Sequence, residues 1–298
     1  MELSIIILTY NGEFYLDEVL ASIFHQKTQF SFEVIIIDSG SSDRSLEIME
    51  KHPVRIHRIP NSDFGHGKTR NLGVKLSSGQ YVVFLTQDAT PANEYWLENL
   101  VMPLTENTDV AGTYSCQIPR PDCNPCEWRD IELRTPPVGM VKKVNFEDDL
   151  QKNAYEKHYQ LFMRFSNVSS CIRKEVLDKM PFKENITMME DQEWCKRAIE
   201  AGYTIIYDAS SAVYHSHNHS LRMIYKRHHD FGSSLKDFTD FNFAFKSVFI
   251  HMFFESLCDF PFIIRQSTKP LWKLKWIIKS PFIRFAMYYG LFKGLQHG

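Results

Sequence analysis

The chain has 298 residues, of which 44% are apolar, so it can bury a sizeable core as one large domain or as a domain with an appendage. Its formal net charge of −2 is unevenly divided: residues 221–298 hold 12 basic and 5 acidic residues, so residues 1–220 carry −9. An acidic body with a basic tail predicts two different kinds of partner, and we expect no nucleic acid among them.

The cysteines and the apolar runs argue against a zinc-binding, a secreted or a membrane-spanning protein. Six cysteines are scattered, and Cys123 and Cys126 are the only close pair, with no second pair nearby to complete a zinc site. We therefore expect reduced cysteines in a cytosolic protein. The first residues lack the features of a signal peptide, and no uncharged apolar run approaches the roughly 18 residues that span a bilayer.

Short apolar runs alternate with segments of helical period over about the first 90 residues. Such alternation predicts an α/β fold with a doubly wound, mostly parallel sheet. We predict strands at residues 4–8, 32–37, 54–59 and 81–85, and helices at residues 13–25, 45–51 and 69–76.

The rest of the chain predicts a continuation of this sheet and then a helical appendage. A helix is predicted at 96–104, a strand at 110–118, a loop at 119–126, a helical flap at 148–165 and a strand at 166–172. A further helix runs from Met189 to a stop at Gly202, followed by short strands at 204–207 and 212–214. We predict two domains, 1–220 and 221–298.

Three of the predicted strands end in polar residues, namely Thr9-Tyr10-Asn11, Asp38 and Gln87-Asp88. In open α/β sheets, ligands bind in the crevice beyond the carboxyl ends of the strands. A carboxylate there, such as that of Asp88, can hold a divalent cation, which in turn can hold a diphosphate. The Asp38 carboxylate suits a ribose hydroxyl or a base N–H.

A loop with two glycines, a histidine and basic residues precedes the helix at 69–76. It contains Gly65, His66, Gly67, Lys68, Arg70 and Asn71. Glycines beside basic residues predict that the backbone approaches an anionic group, and Arg70 can pair with phosphate. Only one glycine follows the first strand, which argues against a dinucleotide-cofactor motif, and the segment around Gly67 lacks the earlier glycine of a P-loop.

Acidic residues open the helix that follows Met189. Acids in a first turn are favoured by the helix dipole, so a purely structural role remains open. Glu190 and Asp191 point roughly 100° apart on a helix, so one can face the crevice while the other pairs within the protein. A carboxylate facing the crevice could deprotonate an attacking hydroxyl.

Three alternating histidines, His215, His217 and His219, follow the last predicted strand. In an extended segment they share one face, which makes them candidate metal ligands, although a structural role is equally open. Mg²⁺ and Mn²⁺ mostly take oxygen ligands, and imidazole suits Mn²⁺ tolerably.

The basic tail is rich in aromatic residues at 241–262 and 272–292. These segments could be core helices packed on the catalytic domain. They could also be amphipathic helices that lie on an anionic membrane, and we favour this second interpretation.

Four motifs together resemble the inverting glycosyltransferases of family 2, which have the GT-A fold. They are IIILTYNG at 5–12, VIIIDSGSSD at 34–43, TRN at 69–71 and EDQEW at 190–194. The resemblance covers about residues 3–219. Within it, FGHGKTRNLG at 64–73, FLTQDATP at 84–91 and HSH at 215–217 look like the bacterial rhamnosyltransferases that build O-antigen and other surface polysaccharides.

The resemblance implies roles for the candidate residues. It implies that Asp191 is the general base, with Glu190 beside it in the catalytic pair. The set implied for the nucleotide sugar is Thr9, Tyr10, Asn11, Asp38, Gly65, His66, Arg70, Asn71, Gln87 and Asp88. Asp88 would bind the metal, with His215 or His217 completing the site. One departure matters: the family's Asp-x-Asp reads Thr-Gln-Asp here, with a single carboxylate. Either the affinity for metal is weak, or a histidine supplies the missing ligand.

The implied reaction is transfer of L-rhamnose from dTDP-rhamnose, with Mg²⁺ or Mn²⁺, to a glycan or lipid-linked glycan at the inner face of the cell membrane. A UDP-sugar donor is an alternative. A sugar nucleotidyltransferase is another, although the turn after the first strand lacks that class's glycine-rich loop. A catalytically inactive membrane scaffold is a third, against which the presence of both Asp88 and the Glu190–Asp191 pair argues.

Overall fold

The computed structural model describes residues 2–135, 140–266 and 268–297. From the sequence we expect acceptor specificity to lie in loops such as residues 116–137, and residues 136 and 137 of that segment lie outside the described residues. The chain separates into two compact units. The first comprises Met1–Ile118, Pro136–Asn185 and Glu190–His215, and the second comprises Pro119–Thr135, Ile186–Met189 and Ser216–Gly298. The boundary at residue 220 stays a prediction.

The first unit is built on a mixed sheet. Its strands in the described residues are β1 (Leu3–Thr9), β2 (Phe32–Asp38), β3 (Arg55–Arg58), β4 (Tyr81–Thr86), β5 (Thr90–Pro91), β6 (Val110–Ile118), β7 (Val141–Lys142), β8 (Ser169–Arg173) and β9 (Thr204–Tyr214). The order is β3-β2-β1-β4-β8-β6-β9-β5, with β7 also on β9. Strands β1 to β4 are parallel, β8 is antiparallel to β4 and β6, and β6 is parallel to β9. The prediction of a mostly parallel sheet is confirmed.

The helices in the described residues are α1 (Leu16–Phe24), α2 (Ser45–Met49), α3 (His66–Leu76), α4 (Trp96–Glu106), α5 (Pro125–Arg134), α6 (Asp149–Phe162), α7 (Lys174–Lys179), α8 (Glu190–Glu200), α9 (Leu221–Lys236), α10 (Phe245–Arg265) and α11 (Pro270–His297). Helices α5, α9, α10 and α11 belong to the second unit. A 3₁₀ turn at Asn61–Asp63 precedes α3.

The sheet has a hydrophobic core on each face, which explains why its central strands are continuously apolar. In β1, Ile5 and Ile7 point into the core that α1, α2 and α4 cover, whereas Ile6 points into the core that α3, α7 and α8 cover. Successive residues of a strand alternate between faces, so each strand buries both of its sides.

Several predicted boundaries were wrong. Helix α1 begins at Leu16 rather than at residue 13, α3 begins at His66 rather than at residue 69, and α6 ends at Phe162 rather than at residue 165. The strands expected at 204–207 and 212–214 form one strand, β9, whose pairing with β6 shifts register between Ser115 and Gln117, as at a β-bulge. Residues 125 and 126 were expected in a loop but open α5, because the Asn124 side chain caps the helix and Pro125 takes its first position. Strand β8 begins at Ser169, three residues later than expected.

All six cysteines are free thiols, which agrees with the expected reduced state. Burial raises the pKa of both the Cys123 and the Cys126 thiol to about 12, so these thiols stay protonated near neutral pH. A reactive thiolate or a zinc site at this pair is therefore not favoured.

Candidate functional site

The polar residues that end β1, β2 and β4 lie at one edge of the sheet. In the parallel register, Thr9 of β1 pairs with Asp38 of β2, and Leu8 pairs with Thr86 of β4. The carboxyl ends of these three strands are therefore neighbours. This arrangement is the crevice in which open α/β sheets bind ligands.

The turn after β1 is tied to the turn after β4 by one side chain. Gln87 accepts a hydrogen bond from the Tyr10 N–H (2.9 Å) and donates to the Tyr10 carbonyl (3.2 Å). A Cβ atom at Gly12 would lie 2.6 Å from the Gln87 amide oxygen, so only glycine leaves room for this crossing. The Gln87 amide thus forms its hydrogen bonds within the protein, where it holds the turns after β1 and β4 together at the crevice.

The turn after β1 is also tied to the turn after β2. The Asn11 N–H donates to the Ser41 hydroxyl and the Asn11 side-chain oxygen accepts from the Ser42 N–H, both at 2.9 Å. Asn11 has a φ of +48°, a left-handed conformation that asparagine tolerates better than most residues. Asn11 is therefore a structural corner of the crevice.

Thr9 and Asp38 are buried at the same edge, with 2% and 0% of their surface exposed. The Asp38 carboxylate accepts hydrogen bonds from the N–H groups of Gly40 and Ser41, and the Arg58 guanidinium lies 3.7 Å from it. These contacts order the turn after β2. Contact of either side chain with a nucleoside stays a prediction.

Helix α3 begins at His66, with Gly65 as its N-cap, and brings two buried polar side chains to the edge. The Arg70 guanidinium donates to the Glu190 carboxylate at 2.6 Å. The Asn71 side chain donates to the Phe182 carbonyl (2.9 Å) and to Glu184 (3.0 Å), and accepts from the Phe182 N–H (3.0 Å). In this conformation Arg70 and Asn71 bind the protein itself, so a contact with the diphosphate stays a prediction.

The first turn of α8 places the two predicted catalytic acids in different surroundings. Glu190 is 4% exposed and is held by Arg70 and, at 3.4 Å, by the Asn167 side chain. Asp191 is partly exposed and accepts hydrogen bonds from the backbone N–H groups of Asn167 (3.0 Å) and Gln192 (2.8 Å). Glu190 is therefore committed to an ion pair, whereas the hydrogen bonds that Asp191 accepts come from backbone N–H groups.

Desolvation and the adjacent Glu190 carboxylate raise the pKa of Asp191 from its ordinary value of 3.8 to about 7, against the opposing effects of its N–H donors and Arg70. A carboxylate with a pKa near the working pH is suited to accept a proton and to release it again. Asn167 contacts both acids, and sequence reasoning missed it because a lone asparagine before a strand has no distinctive spacing.

The Asp88 carboxylate lies 3.6 Å from Nε2 of His215, which follows β9 directly. The Nδ1 atom of His215 is 3.0 Å from the Gln117 side-chain oxygen. Because an amide oxygen only accepts, Nδ1 carries a proton, and Nε2 is the ring nitrogen that faces Asp88. Gln117, also missed from sequence, therefore orients this histidine.

The Asp88 carboxylate and the Nε2 atom of His215 could together bind a divalent cation. Ligand atoms that share one ion at about 2.1 Å lie roughly 3.0–3.4 Å apart, close to the observed separation. A histidine ligand whose second nitrogen donates to an oxygen is the usual arrangement at protein metal sites. His217 belongs to the second unit, where its ring stacks on that of His219 with centroids 4.6 Å apart.

Comparison with known proteins places this chain among sugar transferases. The model of the family "Glycosyl transferase family 2" matches residues 4–172. Over 235 residues, 78% of this chain and 72% of its relative, the sequence is 32% identical to the O-antigen chain rhamnosyltransferase RfbN of Salmonella typhimurium.

Two solved structures share its fold. Staphylococcus aureus TarS in complex with UDP-GlcNAc has a TM-score of 0.55 and 18% identity, over 99% of this chain and 91% of that one. The mannosyltransferase PcManGT of Pyrobaculum calidifontis, in complex with GDP-Man and Mn²⁺, has a TM-score of 0.57 and 15% identity, over 98% of this chain and 72% of that one. The GT-A fold expected from the motifs is thereby confirmed, and the chain belongs to glycosyl transferase family 2 and is a glycosyltransferase.

Proposed function

We propose that this enzyme moves L-rhamnose from dTDP-β-L-rhamnose to a glycan or lipid-linked glycan, with inversion, in the synthesis of an O-antigen-like surface polysaccharide. The observation that carries the reaction type is Asp191, a partly exposed carboxylate beside the crevice whose pKa is raised to about 7. The similarity to RfbN supports the choice of donor and of pathway.

In the proposed reaction, Asp191 accepts the proton of the acceptor hydroxyl. The oxygen attacks the anomeric carbon from the face opposite the diphosphate, so the new C–O bond forms as the bond to the diphosphate breaks. From a β-L-rhamnosyl donor this single displacement gives an α-L-rhamnoside. Arg70, bonded to Glu190, keeps that second carboxylate fixed beside Asp191. The Glu190 charge raises the pKa of the base, and the Arg70 charge opposes part of this rise.

The nucleotide-sugar donor would lie at the carboxyl ends of β1, β2 and β4, where the turns of Tyr10, Asn11 and Gln87 are held together. Gly65 and His66 would offer the N-terminus of α3 to the diphosphate, since a helix N-terminus favours anions. The turn after β2, ordered by Asp38, would contact the nucleoside.

We propose Asp88 and His215 as ligands of a divalent cation, with His217, two residues further along the chain, as a third. The ion would supply positive charge that stabilises the departing diphosphate. Mn²⁺ is compatible with mixed carboxylate and imidazole ligands. The presence of Mn²⁺ in the PcManGT complex supports the class of ion.

We further propose that the enzyme works in the cytoplasm at the inner face of the cell membrane and contacts the membrane peripherally through its basic tail. A lipid-linked acceptor would be encountered there. The excess of basic residues between 221 and 298 supports this location.

A UDP-sugar donor is the second candidate, and the UDP-GlcNAc complex of TarS is the observation that favours it. The two donor hypotheses are distinguished by thermal unfolding of the protein with dTDP, UDP, GDP or NAD, each with and without Mn²⁺. A ligand that binds only the native state raises the melting temperature. We expect a metal-dependent rise with dTDP. A rise in melting temperature with UDP alone would indicate a UDP-sugar donor in place of dTDP-rhamnose. No rise with any nucleotide would contradict the proposal.

A further inference from the structure

Helix α10 of the second unit exposes a continuous apolar face. Phe249, Phe253 and Leu257 form one row at intervals of four residues, and Ile250 and Phe254 form the next row. Residues four apart on a helix are neighbours, so the two rows lie side by side. Each of these side chains is between 45% and 60% exposed. Exposed apolar faces of this kind mark surfaces that contact a partner or a membrane.

By length and composition, α10 could cross a membrane, since an 18-residue window of it has a mean hydropathy of 1.5 and only 22% of that window is buried. Its two acidic residues oppose this arrangement. Asp259 is 1% exposed and bonds to Arg284 of α11 at 2.6 Å, and Glu255 bonds to Arg129 of α5 at 2.6 Å. A spanning α10 would have to break these pairs or carry charges into the hydrocarbon.

Helix α11 adds a second exposed apolar row, and basic residues lie beside it. The row is formed by Leu271, Leu274, Ile278 and Phe282, all more than half exposed. Lys275 and Lys279 lie over the ring of Trp276, at 5.2 and 5.4 Å from its centroid. Residues 265–279 contain five basic residues and no acidic one. Amphipathic helices with lysines and tryptophans beside an apolar face are typical of the lipid–water interface.

We propose that the apolar faces of α10 and α11 dock on the surface of an anionic lipid bilayer, with α10 lying in the membrane plane. Charge selects this occupant, because residues 265–279 hold five basic residues and no acidic one, and basic residues beside an apolar face attract anionic headgroups. The buried pair of Asp259 and the partly buried pair of Glu255 keep the opposite side of α10 on the protein. The inference concerns the second unit alone and holds whichever sugar the enzyme transfers.

Vesicle flotation of the purified protein tests the surface. We expect binding to phosphatidylcholine vesicles that contain phosphatidylglycerol to be at least about tenfold stronger than to phosphatidylcholine alone, and to weaken with salt. The double variant F253E/F254E should lose at least about tenfold in binding, because each phenylalanine would leave the apolar phase. The matched control L150E/L161E changes two exposed leucines of α6 and should bind like the wild type.

Thiol labelling tests the orientation. Ala244→Cys and Gln266→Cys mark the two ends of α10, in a background in which the exposed Cys258 and the partly exposed Cys116 are changed to serine. With the protein bound outside sealed vesicles, a membrane-impermeant maleimide should modify both positions. Modification of only one end would show a spanning helix and overturn the proposal. Absence of vesicle binding would also overturn the proposal. If the wild type did not bind lipid but formed a dimer in solution that F253E/F254E dissociated, the surface would be an interface between two copies of the chain instead.

Discussion

The chemistry at Asp191 depends on what surrounds a single carboxylate. Burial and the Glu190 charge raise its pKa to about 7, while two N–H donors hold its position. Since the base acts in its ionised form, kcat/KM should rise with pH through about 7. Linkage has the opposite sign for stability: a folded-state pKa above the unfolded value weakens the fold as pH rises from about 4 to about 7.

Replacement of Glu190 by glutamine tests this description of the base. Loss of the neighbouring negative charge leaves Arg70 unopposed, and both effects lower the pKa of Asp191. We expect the acid limb of the kcat/KM profile to move to lower pH by at least about one unit, which corresponds to about 1.4 kcal/mol. The measurement is the pH dependence of initial transfer rates.

Glu193→Gln is the matched control, because Glu193 is a buried acid of the same helix that pairs with Arg197. Its acid limb should stay in place. An unchanged limb in Glu190→Gln, with transfer intact, would contradict the proposed origin of the raised pKa.

Gln117 orients His215 as a neighbouring residue, because its amide oxygen fixes which ring nitrogen faces Asp88. Gln117→Leu should weaken Mn²⁺ binding by about 10- to 100-fold, the usual cost of losing a partner of a metal ligand. The free Mn²⁺ signal in paramagnetic resonance measures this without turnover. Gln26→Leu, at a half-buried glutamine bonded to Ser22 and Asn93, should bind Mn²⁺ normally. Equal binding by both variants would argue against His215 as a ligand.

Among the elements, α3 and the chain that precedes α8 are held unusually close. Asn71 makes three hydrogen bonds to Phe182 and Glu184, and a Cβ atom at Gly67 would collide with the Lys183 carbonyl. This approach allows Arg70 to reach Glu190. The geometry of the catalytic pair therefore depends on Gly67, about one helical turn before Arg70.

Gly67→Ala should force the two segments apart and lower the free energy of unfolding by about 1–3 kcal/mol, the range for overpacked sites. Denaturant unfolding measures the change. Gly65→Ala in the same loop is the control, since its Cβ would meet only Lys68 at an ordinary 3.6 Å. If Gly67→Ala were no less stable than Gly65→Ala, the close approach would not be a constraint.

Apolar runs such as Ile5 to Ile7 could be assigned to the sheet from sequence because each residue faces one of two cores. The polar strand ends could be identified because they directly follow those apolar runs, and the candidate acids could be identified because they open a predicted helix. Asn167 and Gln117 could not, because each meets its partners only through tertiary contacts across 24 and 98 residues. The bulge within β9 was likewise set by its pairing with β6.

Across the whole molecule, the two units are stabilised in different ways. The first has an apolar core on each face of its sheet. The second buries an ionic network in which Arg284, 1% exposed, bonds to both Asp130 and Asp259. Burial by itself raises the pKa of the Asp259 carboxyl, but the hydrogen bonds and the charge of Arg284 outweigh it and leave the pKa lowered, so the carboxyl is charged at neutral pH.

Arg284→Met should destabilise the second unit by about 3–5 kcal/mol, because it leaves buried carboxylates without their partner. Thermal unfolding followed by circular dichroism should show a fall of roughly 15–20 °C in the transition of that unit. Arg265→Met, an exposed arginine at the end of α10, should stay within about 0.5 kcal/mol of the wild type. Equal effects of the two changes would mean that the network does not hold the helices.

Asp191 is the residue on which the proposed inverting transfer depends most, because it serves as the base. The decisive measurement is made on Asp191→Asn, with the transfer rate and the calorimetric affinity for dTDP, in the presence of Mn²⁺, determined on the same preparation. We predict a fall in transfer of about 10²- to 10⁴-fold or more, as for loss of a general base, with nucleotide affinity unchanged. A variant that still transfers sugar, or one that no longer binds the nucleotide, would contradict the assignment.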